Sequence, residues 1–211
     1  MARHFFIIVF VVCTLVAGKQ SVAASCTSLN VAPNASLCLQ NEWRPILDGK
    51  LITLDALGSG GQLTDNTRLS FAANLYGMDN AVSAIVNIRR YPKQLITQAD
   101  IISATGSNDA AYATVSEVDT ALRESMIPAL FRHGIKILGW LGTALDRLDG
   151  KTVFITTYRR LSASSKKVFV VRLVRYLNGP ESFTLTLSRR EDLGAGILKV
   201  INDIQESVRI R

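Results

Sequence analysis

Histidine and cysteine are scarce: 211 residues hold two of the first and three of the second. His4 falls in the leader described below, so any nucleophile-and-base chemistry would have to be built around His133 alone. That residue stands beside Gly134 where a helix is expected to end, a place where imidazoles usually meet helix carbonyls. There is no Gly-x-Ser-x-Gly elbow and no His-Glu-x-x-His pair, which removes two hydrolase classes. The cluster Gly58-Ser59-Gly60-Gly61 lacks the Lys-Ser/Thr of a phosphate loop and reads as a flexible turn. EF-hand spacing is missing, no metal site is expected, and no cofactor motif is present. Two carboxylates that meet only in the fold leave no spacing to read, so a hydrolase using scattered carboxylates stays open as an alternative.

Against these gaps stands a clear leader. Arg3 and His4 precede an apolar run from Phe5 to Ala17, and Ser21-Val22-Ala23-Ala24 then places small side chains before a cut after Ala24. This is the layout of a secretory signal peptide over residues 1–24. The run is about 13 residues, short of the ~20 that span a bilayer as a helix, so a retained anchor is the weaker reading. Val11 and Val12 before Cys13 are too bulky for a lipid-attachment site. Every later hydrophobic run is interrupted by charge or glycine, so no stable membrane anchor is expected and the mature protein should be periplasmic or secreted.

Export suits the remaining cysteines. Cys26 and Cys38 form an even pair in an oxidising compartment, and a disulfide between them would tether a lead-in over residues 25–48 to a single domain over 49–211. A redox-active pair is the alternative, but the spacing is not Cys-x-x-Cys. Two cysteines and one histidine cannot close a zinc site without carboxylates.

The net charge of +7 is uneven: residues 25–150 carry ten Lys/Arg against twelve Asp/Glu, and residues 151–211 twelve against five. A basic region can meet anionic lipid, nucleic acid or an acidic partner. Arg159-Arg160, Arg172, Arg175 and Arg189-Arg190 sit at strand ends and faces, which equally describes a solvated sheet surface, and export argues against nucleic acid.

After the lead-in, with Trp43 as a core anchor, three strands are expected at Leu51–Leu57, Arg68–Leu75 and Val82–Arg90. Thr97 and Asp100 have capping-box spacing for a helix that stops at Gly106. A longer helix follows, with Val115, Val118, Leu122, Met126, Ala129 and Leu130 in one stripe and Glu117, Asp119, Arg123 and Glu124 off it. Pro128 should kink or split it. The period then becomes two: Ile135–Asp146 and Lys151–Arg160 flank Asp149-Gly150, a type I′ dipeptide, and Lys167–Leu177 pairs with Ser182–Ser188. Phe183, Leu185 and Leu187 alternate with hydroxyl residues, which predicts one buried and one partly wet sheet face. Ser188 and Glu191 have capping-box spacing for a closing helix with Ile197, Ile201, Ile204 and Val208 in a stripe. An antiparallel meander covered by helices is an α+β fold.

The stretch Leu148–Arg211, with its Asp-Gly hairpin leading to a strand with Tyr158 near its end, its strand pair VFVVRLVRYLNGPESFTLTLSRR and its closing helix ending in Ser207-x-x-Ile210, resembles the end of the PsbP/Mog1-like family, exported bacterial members included. Trp43 adds to the resemblance. It implies an α/β/α sandwich and a non-enzymatic accessory or binding role, but no family binding residue matches here position by position.

The expected function is therefore an exported, non-catalytic accessory or binding protein working through protein–protein contacts. Tyr158, Arg160, Arg172 and Tyr176, beside Thr184 and Thr186, are the candidate contact residues on the wet face, since interfaces enrich aromatics and arginine. An immunity-like inhibitor of an exported toxin is a further alternative. Oligomeric state and the use of Asn34-Ala35-Ser36 as a glycosylation acceptor are open.

Overall fold

The computed structural model describes residues 26–40, 42–47, 50–51, 68–75, 81–162 and 165–211. The expected signal peptide with Cys13, most of the strand expected at 51–57 and the glycine cluster 58–61 lie outside the described residues.

Two antiparallel sheets form among the described residues. The large one has eight strands in the order β4-β3-β5-β6-β10-β9-β8-β7, and the small one runs β1-β2-β11. Their ranges are β1 Cys26–Ala32, β2 Ala35–Gln40, β3 Arg44–Leu47, β4 Lys50–Leu51, β5 Arg68–Ala73, β6 Ala84–Arg90, β7 Ile137–Leu148, β8 Lys151–Leu161, β9 Val168–Tyr176, β10 Phe183–Arg190 and β11 Arg209–Ile210. Helices α1 (Gln98–Ala104) and α2 (Asn108–Arg132) lie between β6 and β7, and α3 (Gly194–Glu206) follows β10.

The β7–β8 hairpin turns where expected. Asp149 and Gly150 have φ of 48° and 77°, the left-handed pair that a type I′ turn requires. The capping box of α1 also forms: Thr97 accepts from the Asp100 N–H while Asp100 accepts from the Thr97 N–H.

The register of β8, β9, β10, β6 and β5 sorts side chains into two faces. One carries Phe71, Val86, Ile88, Val153, Val174, Tyr176, Phe183, Leu185 and Leu187; it packs against α3 and the small sheet as the main core, with Trp43 fully buried. The opposite face carries Tyr158, Phe169, Val171 and Leu173, against which Met126 and Leu130 of α2 pack. Helices thus cover both sides of the large sheet, an α+β arrangement of sandwich type.

Four expectations change. The lead-in is no tether: Leu29, Val31, Leu37 and Leu39 alternate on the inner side of the β1–β2 hairpin and belong to the main core. Helix α2 is not split at Pro128, which lies inside one continuous helix. Ser188 does not cap α3, because β10 continues to Arg190 and the Glu191 carboxylate is taken by Arg159 at 2.6 Å; α3 starts at Gly194 with no side-chain cap. The hydroxyl face of β10 is largely dry, Ser188 being 1% and Thr184 6% exposed, since β10 runs in the middle of the sheet between β6 and β9 and neighbours shield its short side chains.

Candidate binding surfaces

The four expected contact residues do not share a face. Tyr158 lies opposite Val171 and Arg160 opposite Phe169, so both turn toward the α2 side. Arg172 lies opposite Thr157 and Tyr176 opposite Phe183, and both turn toward the α3 side. Tyr158 and Tyr176 are 4% and 2% exposed: the first stacks on Trp140 with centroids 5.8 Å apart, the second packs on Phe183 at 5.3 Å. Burial pushes the Tyr176 phenol up from its ordinary value. Arg172 donates to Asn202 Oδ1 at 3.1 Å and Gln205 Oε1 at 2.9 Å, docking α3 onto the sheet. Arg160 places its guanidinium 5.2 Å from the Phe169 ring centre and stays half-buried.

Nor are the other strand arginines a solvated layer. Arg190, 3% exposed, forms a fork with Asp192 at 3.0 and 2.7 Å, and Lys167 reaches the same carboxylate at 3.5 Å. With Arg159–Glu191, these pairs fix the turn Glu191–Leu193 against the sheet. Arg159 holds the Glu191 carboxyl below its ordinary 4.5, and Arg190 holds Asp192 below 3.8. Both carboxyls therefore bind protons more weakly in the folded chain than in the unfolded one. Their contribution is complete above about pH 4.5 and is lost as pH falls through the depressed values. Urea midpoints measured from pH 7 to pH 3 should fall along this limb, and the double variant Glu191→Gln, Asp192→Asn should start lower and fall less. Equal slopes would refute the assignment.

On the other side, Asp119 joins α2 to β7. Its Oδ1 accepts from Trp140 Nε1 at 2.9 Å and from Thr143 Oγ1 at 2.7 Å, and Thr143 continues to Thr156 at 2.9 Å. Sequence periodicity placed Asp119 off the packing stripe; the structure turns it inward because two donors on the neighbouring strand offset its desolvation. Asp119→Ala should lower stability by about 1–3 kcal/mol, whereas Asp119→Asn keeps an acceptor and should cost less; thermal melts of both decide.

Outside this joint α2 exposes charged residues, Asp109, Glu117, Arg123, Glu124 and Arg132, with Tyr112 and Phe131 among them. Leu95, Ile96, Ile102, Tyr112, Phe131, Leu138 and Leu141 are the exposed large hydrophobics among the described residues, and all fall between positions 95 and 141. Of the 25 residues of α2 only Leu122 is buried. His133 caps the end of that helix through its backbone N–H and is exposed.

A cavity of about 310 Å³ opens at the end of β6, lined by Arg89, Arg90, Tyr91, Pro92, Lys93 and Gln94. Arg89 lies 5.3 Å from the Tyr91 ring centre. In register, Arg89 is next to Thr184, and Thr184 next to Arg175, a row on the α2 side of the sheet. The Arg175 guanidinium is largely withdrawn from water; its Nη2 meets Met126 Sδ at 3.9 Å and its Nε has no hydrogen-bond partner. Burial pulls it below the ordinary arginine value, and the oxygens of Tyr91 and Tyr158 oppose that shift. Sequence reasoning passed over this row because its members lie on three strands.

Cys26 and Cys38 are bonded, with Cα atoms 5.6 Å apart. No described helix is long and apolar enough to cross a membrane, and the described residues hold no group of three or more His, Cys, Asp or Glu able to bind a metal.

No family model and no curated protein matches the chain. Solved structures to which it is similar include cyanobacterial PsbP from Synechocystis, at 16% identity over 93% of this chain and 99% of that one, with a TM-score of 0.45. LpqN of Mycobacterium tuberculosis, described as involved in cell envelope biogenesis, is 13% identical over 90% and 87%, with a TM-score of 0.40. A protein from Bacteroides thetaiotaomicron is 10% identical over 84% of this chain, which spans 45% of that protein, with a TM-score of 0.41. A PsbP is thus among the proteins this chain is similar to, at an identity that speaks to fold alone.

Proposed function

We propose that this is an exported, non-catalytic accessory protein that binds a protein partner with its α1–α2 side. The observation that carries the reading is the exposure of Leu95, Ile96, Ile102, Tyr112 and Phe131 on α1, α2 and the turn that leads into them. Apolar side chains left on one side of a domain with a well-filled core mark a surface made to be covered. The leader read over residues 1–24 and the Cys26–Cys38 bridge support export. Of the four contact residues read from the sequence, Arg160 and Tyr158 support this side from beneath, and Arg172 and Tyr176 serve the packing of α3 and the core.

A photo-crosslinking side chain placed at Tyr112 or Phe131 in the native host should yield a discrete heavier product, while the same group at Lys199 on α3 should not. No product at either α2 position, or the same product from Lys199, would overturn the reading.

A further inference from the structure

We infer that the cavity formed by Arg89, Tyr91 and Lys93, with Arg175 beyond it on the same sheet face, binds a phosphate group. Arg89, Arg90 and Lys93 line one small space, and no Asp or Glu lines it. Arg89, Lys93 and Arg175 have no ion-pair partner among the described residues, in contrast to Arg159 and Arg190, which each hold a carboxylate. Arg89 and Lys93 are exposed and free to close on a ligand, while Arg175 is drawn out of water; a guanidinium so placed without a counter-charge is costly and is retained where an anion completes it.

The geometry suits an oxyanion of more than one negative charge. Strands are spaced ~4.8 Å apart, so Arg89 and Arg175, one on either side of Thr184, stand about 10 Å apart at the backbone. Long side chains from that distance can close on one group from two directions. The Arg89 guanidinium is already laid over the Tyr91 ring, which reduces the freedom lost when it binds. Guanidinium forks match phosphate oxygens two at a time, and Lys93 adds a point charge at the rim. The turn that closes the cavity is set in advance: Gln94 Oε1 accepts from the N–H groups of Leu95 and Ile96 at 2.8 and 3.1 Å. Leu95 and Ile96 then project into solvent beside the cations. A phosphate arriving as the headgroup of an anionic lipid and a free phosphate present the same chemistry to this site. The inference is independent of the partner surface, because it rests on cations and not on the apolar residues of α1 and α2.

The test is a titration of the folded protein with inorganic phosphate at low, matched ionic strength, read by amide NMR shifts. Shifts should concentrate on Arg89–Gln94 and Thr184. Arg89→Gln with Lys93→Gln should weaken the apparent affinity about tenfold or more. Arg175→Met, which removes the buried charge at similar volume, should weaken it as well, while Arg132→Gln on α2 should not. Melting in chloride confirms that each variant is folded. Sedimentation with phosphatidylglycerol vesicles but not with phosphatidylcholine vesicles assigns the group to a lipid, and phosphate shifts without sedimentation assign it to a free ion. Shifts no larger than those produced by chloride, or a double variant that titrates like the parent, would overturn the site.

Discussion

Trp43→Ala is expected to lower unfolding stability by about 3–5 kcal/mol, the range for removing a fully buried large aromatic. Against the 5–15 kcal/mol that holds a typical domain together, this is a large share. Trp43 is 0% exposed and packs in the cluster where the inner face of the β1–β2 hairpin meets the main sheet. The cavity left behind would open between the two layers at the hairpin's exit, where the Trp43 N–H reaches the Gln40 carbonyl at 3.1 Å. The indole Nε1 is buried without a hydrogen-bond partner, so Trp43→Phe discards an uncompensated donor as well as volume and should cost well under half as much as alanine. Urea denaturation followed by far-ultraviolet circular dichroism, with an unchanged m-value, checks both. A midpoint for Trp43→Ala equal to the parent's would remove Trp43 from the core.

The second large effect is reductive. Opening Cys26–Cys38, 12 residues apart, should cost about 3 kcal/mol by the chain-entropy argument, within the 2–5 kcal/mol typical of small exported domains. The structure says where the loss falls. Strand β1 is the edge of the small sheet and is held by β2 and the bridge, whereas β2 is also held by β11 and by Ser207, whose Oγ accepts from the Cys38 N–H at 3.0 Å. Loosening should begin at β1 and expose Leu29 and Val31. Melting temperature should fall when reductant is added to the parent and be insensitive to it in Cys26→Ser, Cys38→Ser. A parent that melts identically with and without reductant would show the bridge to be energetically idle.

What the sequence made legible follows from locality. The Asp149-Gly150 turn, the Thr97–Asp100 box and the stripe of α3 are set by neighbours three or four residues away, and each forms. The cysteine pair was readable because only one pairing existed. The alternation of Leu29, Val31, Leu37 and Leu39 was equally local, but asparagine, proline and serine between them masked it as a linker. What escaped depends on register between strands. Nothing in the sequence says that Tyr158 faces Val171 and Arg172 faces Thr157, yet that offset puts Tyr158 and Arg172 on opposite faces. Arg159 with Glu191, Asp119 with Trp140 and the row Arg89–Thr184–Arg175 are likewise meetings between separate elements.

The small sheet imposes an order on assembly. Its β1–β2 hairpin and bridge need only the first stretch of the folded region, so they can form while the rest of the chain is still arriving. Its third strand comes from residues 209–210, and Ser207 meets Cys38 across a separation of 169 residues. Contacts so distant in sequence carry a large loop-closure cost and slow folding as a whole. The Ile210 N–H then lands on the Asp149 carboxylate at 2.7 Å, so the tip of the β7–β8 hairpin acts as the latch that tells the last strand it has arrived.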